Sequence, residues 1–373
     1  MVDSQSRSSM QPSHFEITSY RHNYAVYFTE NALIDLNAQL NQGDCLIIDH
    51  NVAQIYQPSL QHLVSNYNTI YIDPKEENKS FDGIRPVLSA LIEKGFKKNN
   101  RLVAIGGGIT QDITAFIASI LYRGVQWFFI PTNLLSQCDS CIGSKTSINF
   151  ESYKNQLGGF FPPSAIFIDV SFLRSLSSKE MRSGLGEMAH YFLIDGEDAF
   201  ARFEHALDDA LSGSASIHTL IKESLSIKKR MIEIDEFDEG PRNIFNYGHS
   251  FGHAIESYTG YTIPHGIAVA YGMDLANAIS VEKGLMNHAT FQRIRNTLQK
   301  IRATSSFPDI EIPSYLAYLK KDKKNTSTQL RVILSRGIGD MFLTEITADN
   351  SLIKTIESCF ENFKSETNER SND

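Results

Sequence analysis

Short apolar segments alternate with helical segments through the first half of the chain. The apolar segments have the length of buried strands and lie at residues 45–49, 69–73, 101–105, 127–131 and 165–170. Amphipathic helical patterns separate them, for example at 82–94 and 112–121. Because strands that alternate with helices form parallel sheets, residues 15–172 predict an α/β domain. Alternation over 15–28 predicts an edge strand or hairpin before it.

The second half changes in character, because its apolar residues recur with helical spacing. Helices are predicted at 179–193, 199–211, 217–234, 242–258, 266–283 and 290–301, and the one later strand candidate is 329–334. This part therefore predicts a mostly α-helical domain over residues 173–365. The polar ends, 1–14 and from 364 onward, are expected to be disordered or frayed tails.

Composition and charge narrow the class of protein. The 373 residues are 42% apolar and 21% charged, as in soluble globular proteins, and the net charge of −8 argues against nucleic acid as a partner. We find no membrane-span pattern and no signal pattern, so no membrane partner is expected. The four scattered cysteines fit reduced thiols, and we expect the protein to be cytoplasmic.

Three histidines lie close together in the second half. His249 and His253 are four residues apart in a predicted helix, so they share a face, and His265 precedes the next helix. With Glu187 upstream in an apolar context, they suit a catalytic divalent metal with an open position. A metalloprotease is disfavoured because Ser250 follows His249, where a glutamate is needed. Two surface histidines and one loop histidine remain the alternative.

A triple-glycine turn, Gly106 to Gly108, joins a predicted strand to a helix start. Glycines let backbone N–H groups approach a phosphate, and a helix N-terminus favours its charge. The spacing differs from the usual dinucleotide-binding fingerprint, so a plain tight turn remains the alternative. Asp49, at the end of the first predicted buried strand, would bind a ribose hydroxyl or start a turn.

Several cations stand out in this acidic chain. Arg123, Lys145 and Lys154 are spaced among Gly, Ser and Asn residues, a pattern that suits a phosphorylated substrate, although each also suits a solvated loop. Further cations near or beyond the histidines are Lys228, Arg242, Lys323 and Lys324.

Taken together, these stretches resemble 3-dehydroquinate synthases and the wider sugar phosphate cyclase family, from about Asp49 to Gly339. The resemblance implies an N-terminal nucleotide-binding α/β domain with a parallel sheet, a mostly α-helical C-terminal domain and a homodimer. It implies NAD and one divalent metal, zinc or cobalt, as cofactors, and a small phosphorylated sugar acid as substrate. The implied activity is that of a carbon–oxygen lyase. It would eliminate phosphate and form a carbocycle from a phosphorylated 2-keto-3-deoxy-heptulosonate or close analogue.

The resemblance also implies roles for individual residues. The implied metal ligands are Glu187, His249 and His265. The implied cofactor-binding residues are Asp49, Glu76, Lys79, Gly106, Gly107, Gly108, Asp112, Thr132 and Lys154. The implied substrate-binding residues are Arg123, Asn155, Arg242, Lys323 and Lys324. The implied catalytic residues are Asp139, Lys145, Lys228, Asn246, His253 and His190.

Some positions depart from the family pattern, namely Gln111, Ala115, Asn133, Ser144, His190 and Ile267. His190 stands where the family has a lysine. We expect it to alter recognition of a substrate hydroxyl and to give a pH dependence near neutrality. In the 3-dehydroquinate synthases the pair that matches Lys228 and Arg242 binds a carboxylate, so the resemblance implies a carboxylated substrate; unpaired buried cations would otherwise be costly. The exact substrate is left open by these departures.

Two other functions are compatible with the sequence. A metal-dependent polyol or glycerol dehydrogenase has a similar triple-glycine turn, but net hydride transfer needs no phosphate-binding cations. A descendant that binds nucleotide without catalysis would explain the departures, but the retained metal ligands argue against it.

Overall fold

The computed structural model describes residues 13–151, 153–303, 306–320 and 329–370. Two compact units divide the chain. The first runs to Thr132 and resumes over Ser144–Ser171, and the second comprises Asn133–Gly143 and continues from Phe172. Among the described residues, no helix is both long and apolar enough to span a membrane.

A seven-stranded sheet organises the first unit. Its strands are β1 Ser13–Ile17, β2 Tyr24–Phe28, β3 Cys45–Asp49, β4 Asn68–Ile72, β5 Leu102–Gly106, β6 Trp127–Pro131 and β9 Ala165–Ile168; β7 Lys145–Phe150 and β8 Tyr153–Phe160 form a separate hairpin. The spatial order is β1-β2-β9-β6-β5-β3-β4. The β1–β2 pair is antiparallel, and the other neighbours in this sheet are parallel. The predicted parallel α/β fold with an edge hairpin is confirmed.

Helices of the first unit follow most of the parallel strands. They are α1 Ala32–Asn37, α2 His50–Ile55, α3 Gln57–Asn66, α4 Phe81–Glu93 and α5 Gly108–Ile120, with short 3-10 turns at Glu76–Asn78, Leu121–Arg123 and Val170–Ser175. Strands β3, β5, β6 and β9 are buried along their whole length, which explains their continuous apolar sequences. The carboxyl ends of β3 and β5, where ligands bind in such sheets, place Asp49 beside Gly106.

Helices dominate the second unit, as predicted. They are α6 Ser178–Asp195, α7 Glu197–Leu211, α8 Ser216–Ile234, α9 His249–Tyr258, α10 His265–Glu282, α11 His288–Arg302, α12 Ile312–Lys320 and α13 Asn350–Arg370; a π-helical turn Ser136–Ser140, a 3-10 turn Pro241–Asn246 and the hairpin β10 Gln329–Ser335 with β11 Met341–Thr347 complete it. Leu134, in the segment that the sequence-based boundary placed with the sheet, packs against Gly184 of α6. Ser224 of α8 donates a 2.9 Å hydrogen bond to the Cys138 carbonyl.

The predicted continuous helix 242–258 is wrong. The chain forms a 3-10 turn up to Asn246, breaks at Tyr247 and Gly248, and begins α9 at His249. The cause is backbone geometry, because Gly248 has φ +80°, a left-handed conformation that an α-helix cannot contain.

The expected frayed tails also need correction. Helix α13 continues to Arg370 where a polar tail was predicted from 364, and its Phe360 and Phe363 are buried against Phe307. At the other end, β1 begins at Ser13, and residues 1–12 of the predicted N-terminal tail lie outside the described residues.

Candidate active site

Helices α6 and α10 meet through their backbones. A Cβ atom at Gly186 would lie 2.1 Å from the carbonyl oxygen of Gly266, and one at Gly266 would lie 1.8 Å from that of Ser183. No side chain fits at either position, so glycine is what permits this approach. As a result Glu187 and His265, each next to one of these glycines, face each other, with His265 Nε2 3.4 Å from Glu187 Oε2.

Helix α9 approaches α10 in the same way. A Cβ atom at Gly272 would lie 1.9 Å from the carbonyl oxygen of Gly248. Because Gly248 immediately precedes α9, this contact fixes the first residue of the helix, His249. The Nε2 atom of His249 lies 3.4 Å from Glu187 Oε1. Three helices therefore bring one carboxylate and two imidazoles together.

The geometry and chemistry of this cluster fit a divalent metal. Donor atoms about 2.0–2.1 Å from a zinc ion, at the corners of a tetrahedron, lie about 3.4 Å apart. His249 Nε2 and His265 Nε2 each lie at that distance from one of the two Glu187 oxygens. Glu187 is buried, and its Oε2 atom has no hydrogen-bond partner. Burial raises the pKa of Glu187, but neighbouring His249 outweighs it, and that pKa lies well below its usual value. The carboxylate is therefore ionised, as a metal ligand must be.

The other ring nitrogens of His249 and His265 have acceptors. His249 Nδ1 lies 3.2 Å from the Tyr247 carbonyl oxygen, and His265 Nδ1 lies 3.2 Å from Glu256 Oε2. Such contacts orient metal-binding imidazoles. The sequence assigned no role to Tyr247 or Glu256.

His253 belongs to the same cluster. Ring nitrogens of His249, His253 and His265 lie within 4.8 Å of one another, and the three ring centroids are 5.4 Å apart in each pair. A cavity beside His249 and His253 is also lined by Asn246 and by Arg331 of β10. Sequence analysis missed Arg331, because nothing in the sequence of its strand indicates that the strand lies close to the histidines.

His190 is completely buried beside this cluster. Its Nδ1 atom lies 3.5 Å from Glu187 Oε1, and its ring packs 3.9 Å from that of Tyr191, centroid to centroid. Burial lowers the pKa of His190 to about 4. The expected titration near neutrality is therefore wrong for this residue, because a buried imidazole stays neutral at pH 7.

Asp139 forms a second polar centre, on the π-helical turn. Lys228 Nζ of α8 lies 2.7 Å from both its backbone oxygen and its Oδ1 atom. The hydroxyl of Tyr191 donates to the same Oδ1 atom. Tyr191 was absent from the predicted site, although its position four residues after Glu187 on α6 places both on one helix face. Through His190 and Tyr191 this centre is continuous with the metal cluster.

Arg242 and Asn246 lie on the 3-10 turn before α9. The Arg242 side chain is buried and donates to the Glu236 carbonyl oxygen at 2.6 Å. Its backbone N–H donates to Asp235 Oδ2 at 3.0 Å. Asn246 Nδ2 donates to the Asn243 carbonyl oxygen at 2.9 Å. This turn is thus held from both ends.

In the first unit, buried Lys79 is the centre of a polar network whose other members are partly exposed or exposed. Its Nζ atom lies 3.0 Å from Asp112 Oδ2, 2.6 Å from Asn155 Oδ1 and 3.5 Å from Glu76 Oε1. Lys154 Nζ lies 3.9 Å from the same Glu76 oxygen. Four predicted cofactor residues are therefore brought together. Asn155, predicted to contact substrate, joins them.

The glycine turn and Asp49 lie side by side in the same unit. A Cβ atom at Gly106 would lie 3.0 Å from Asp49 Cβ, so the turn leaves no space for a side chain there. Asp49 Oδ1 accepts the N–H groups of Asn51 and Val52 and caps α2. Gly107 precedes α5, Gly108 begins it, and the Thr132 N–H donates to the Gly106 carbonyl at 3.0 Å. Of the two sequence interpretations of Asp49, the helix-starting role is present.

Four predicted cations remain to be placed: Arg123, Lys145, Lys323 and Lys324. Arg123 and Lys145 are exposed residues of the first unit, and Arg123 has φ +62°. Lys323 and Lys324 lie outside the described residues. The cysteines Cys45, Cys138, Cys141 and Cys359 are all buried and none forms a disulfide.

Known proteins resemble this chain over most of its length. Residues 69–183 match the family profile described as 3-dehydroquinate synthase N-terminal, and residues 184–325 match 3-dehydroquinate synthase C-terminal. The 3-dehydroquinate synthase of Dictyoglomus turgidum is 36% identical over 339 residues, which is 90% of this chain and 95% of that protein.

Solved structures share the fold. A 2-deoxy-scyllo-inosose synthase complexed with carbaglucose-6-phosphate, NAD+ and Co2+ superimposes with a TM-score of 0.84 and 26% identity, covering 94% of this chain and 100% of that one. A probable glycerol dehydrogenase from Sinorhizobium meliloti 1021 has a TM-score of 0.61 at 13% identity, over 92% of this chain and 96% of that one, a likeness of fold alone. The two profile matches and the Dictyoglomus relative establish that this chain belongs to the 3-dehydroquinate synthase family.

Proposed function

We propose that this protein is an NAD- and metal-dependent sugar phosphate cyclase of the carbon–oxygen lyase class. It would eliminate phosphate from a phosphorylated 2-keto-3-deoxy-heptulosonate or close analogue and form a carbocycle. The observation that carries the proposal is the convergence of Glu187, His249 and His265 in the second unit. Family membership and the ligands of the solved 2-deoxy-scyllo-inosose synthase support it. We also propose that the protein is a cytoplasmic homodimer, as the sequence resemblance implies.

The chain's residues divide the work between two groups. When bound, a divalent ion supplies Lewis acidity, and NAD supplies a temporary hydride acceptor. Glu187, His249 and His265 would hold the ion. Backbone N–H groups at Gly107 and Gly108, at the start of α5, would hold the phosphates of NAD.

Asp139 and Lys228 would hold and move protons at the substrate. Lys228 contacts both the Asp139 backbone oxygen and its Oδ1 atom at 2.7 Å, and the Tyr191 hydroxyl donates to the same Oδ1 atom. A carboxylate held by two donors is pre-oriented, so it pays little reorganisation when a substrate hydroxyl arrives. Burial of Lys228 excludes water from the pair.

Arg242 supports the choice of a carboxylated substrate. Its guanidinium is buried and donates to the Glu236 carbonyl oxygen, and Asp235 is a charged neighbour. The resemblance matches Arg242 and Lys228 to a carboxylate-binding pair. A substrate carboxylate could accept a bidentate contact from the planar guanidinium.

Phosphate release tests the proposal directly. With NAD and Co2+ or Zn2+ present, we expect phosphate release from the 2-keto acid phosphate to exceed that from sedoheptulose 7-phosphate or glucose 6-phosphate by at least about tenfold, the effect of one charged hydrogen bond. Preference for a sugar without the carboxylate would contradict the substrate assignment. Steady accumulation of NADH with glycerol, without phosphate release, would instead identify a polyol dehydrogenase.

A further inference from the structure

Hydrogen bonding does not explain why the imidazole of His190 is buried. The residue has no exposed surface, and neither ring nitrogen has a hydrogen-bond partner. Buried polar atoms in folded proteins are almost always paired, so an unpaired group next to a ligand site needs an explanation. The aromatic rings around it cannot supply one. The rings of Tyr191 and Phe245 pack against the imidazole ring. The Tyr191 hydroxyl already donates to Asp139.

The carboxylate of Glu187 lies beside this imidazole. His190 Nδ1 lies 3.5 Å from Glu187 Oε1, and His249 Nε2 lies 3.4 Å from the same oxygen. The other carboxylate oxygen, Oε2, has no hydrogen-bond partner and lies 3.4 Å from His265 Nε2. A small rotation of the carboxylate would close the first gap and leave Oε2 as the oxygen presented to a cation.

We propose that His190 is a positioning residue for the metal centre: its Nδ1–H group holds Glu187 Oε1, so that Oε2 is presented to the ion shared with His249 and His265. The proposal rests on the metal-binding part of the proposed function. A neutral imidazole suits this place, because it donates a hydrogen bond without adding a positive charge that would repel a divalent ion.

Two amide substitutions separate the ring nitrogens. The side-chain nitrogen of asparagine can occupy the place of Nδ1, whereas that of glutamine reaches the place of Nε2. We would prepare His190→Asn, His190→Gln and His190→Leu, remove metal with a chelator, and titrate each with Co2+ alone. Binding is read from the visible absorption of the ion, and Zn2+ affinity from competition with a chromophoric chelator. His205→Asn, the same change at an exposed histidine of α7, is the control.

We expect the leucine and glutamine variants to bind Co2+ and Zn2+ about 10- to 100-fold more weakly, the usual effect of losing such an orienting contact. Their Co2+ spectra should shift because the carboxylate changes its mode of binding. The asparagine variant should stay within about threefold of the native affinity, and the control should be unchanged.

Equal affinities in the asparagine and glutamine variants would overturn the proposal, as would native affinity and spectrum in the leucine variant. If the leucine variant does not fold, the asparagine–glutamine comparison still decides. Metal titration uses no substrate, so it is independent of the reaction. Absence of phosphate release from every sugar would contradict the proposed function while the metal result stands, and weak metal binding by the native chain would contradict both.

Discussion

The two polar networks, one in each unit, differ in how many of their polar atoms have hydrogen-bond partners within the network. In the first unit, Lys79 contacts Asp112, Asn155 and Glu76, so that its charge and the facing acceptors are mutually paired. In the second unit, Glu187 Oε2 and both nitrogens of His190 have no hydrogen-bond partner. Lys79, Glu187 and His190 are buried, and both networks contain carboxylates together with cations or imidazoles.

This difference distinguishes a network that stabilises the fold from a cluster that binds a ligand. A paired network contributes to folding without any ligand, because breaking it leaves a buried charge uncompensated. A cluster whose buried polar atoms lack hydrogen-bond partners contributes little to folding, and such atoms are typical of sites that bind an ion or ligand. Variants in the first network should therefore change stability, and variants in the second should change metal binding and turnover.

The largest effect is expected for His249→Ala. Metal catalysis lowers a barrier by several kcal/mol, so losing the ligand should reduce turnover by about a thousandfold or more. Bound zinc, measured by mass spectrometry of the purified protein, should fall in parallel. The thermal midpoint of the metal-free protein should hardly change. A variant that retained stoichiometric zinc would show that His249 is not a ligand.

Lys79→Met should act on stability instead. It leaves Asp112 and Asn155 without their cation, and we expect the unfolding free energy to fall by about 2–3 kcal/mol. The one tryptophan, Trp127, is buried in β6 of the first unit, so its fluorescence during urea denaturation reports on that unit. Lys154→Met is the control, because its 3.9 Å contact with Glu76 is half exposed and worth less than about 1 kcal/mol. Equal losses in both variants would refute a special role for Lys79.

Arg242→Ala should weaken the carboxylated substrate by about 10- to 100-fold, because a charged hydrogen bond contributes about 1.5–3 kcal/mol. Turnover of a carboxylate-free sugar phosphate should change little. Kinetics with the matched pair of substrates give this ratio. Arg242→Lys, which retains charge without the guanidinium fork, should recover part of the loss. A uniform loss for both substrates would indicate that Arg242 only supports the turn through Glu236.

The smallest effect is expected for Tyr191→Phe. Asp139 retains Lys228, so we predict a loss of about 1 kcal/mol in stability, from the hydrogen bond, and about tenfold in kcat/KM. Tyr247→Phe is the matched control, because its buried hydroxyl donates to the neutral amide of Asn277. It should lose similar stability but little activity. Equal activity losses would remove Tyr191 from the site.

Sequence patterns recovered the elements whose burial is uniform. Strands β3, β5 and β6 are covered on both faces, so their apolar runs are continuous. The hairpin strands β7 and β8 were missed, because β8 is mostly exposed and polar and so lacks the alternation that marks a strand. The break at Gly248 was missed because apolar spacing continues through it, while the cause lies in the backbone contact with Gly272.

The candidate site was predictable where four-residue spacing or the family resemblance applied. His249 and His253 followed from spacing, and Glu187 followed from its apolar context and the resemblance. Partners that arise only from packing, such as Tyr191 on Asp139 and Glu256 on His265, carried no signal of their own along the chain. The catalytic role implied for His253 stays a prediction.

The segment Asn133–Gly143 belongs to the helical unit but lies between two parts of the sheet unit in the sequence. The helical unit therefore cannot be transferred to another protein by one cut in the chain. This segment leaves the sheet unit at Thr132, contributes to the helical unit, and returns at Ser144, so that a single cleavage at 172 would separate Asp139 from Tyr191 and Lys228. The C-terminal fragment would also lose Leu134, which packs against Gly184 of α6. An evolutionary or laboratory shuffling event at one junction would therefore transfer the histidines without the acid that accompanies them. The helical unit therefore has to be transferred together with residues 133–143.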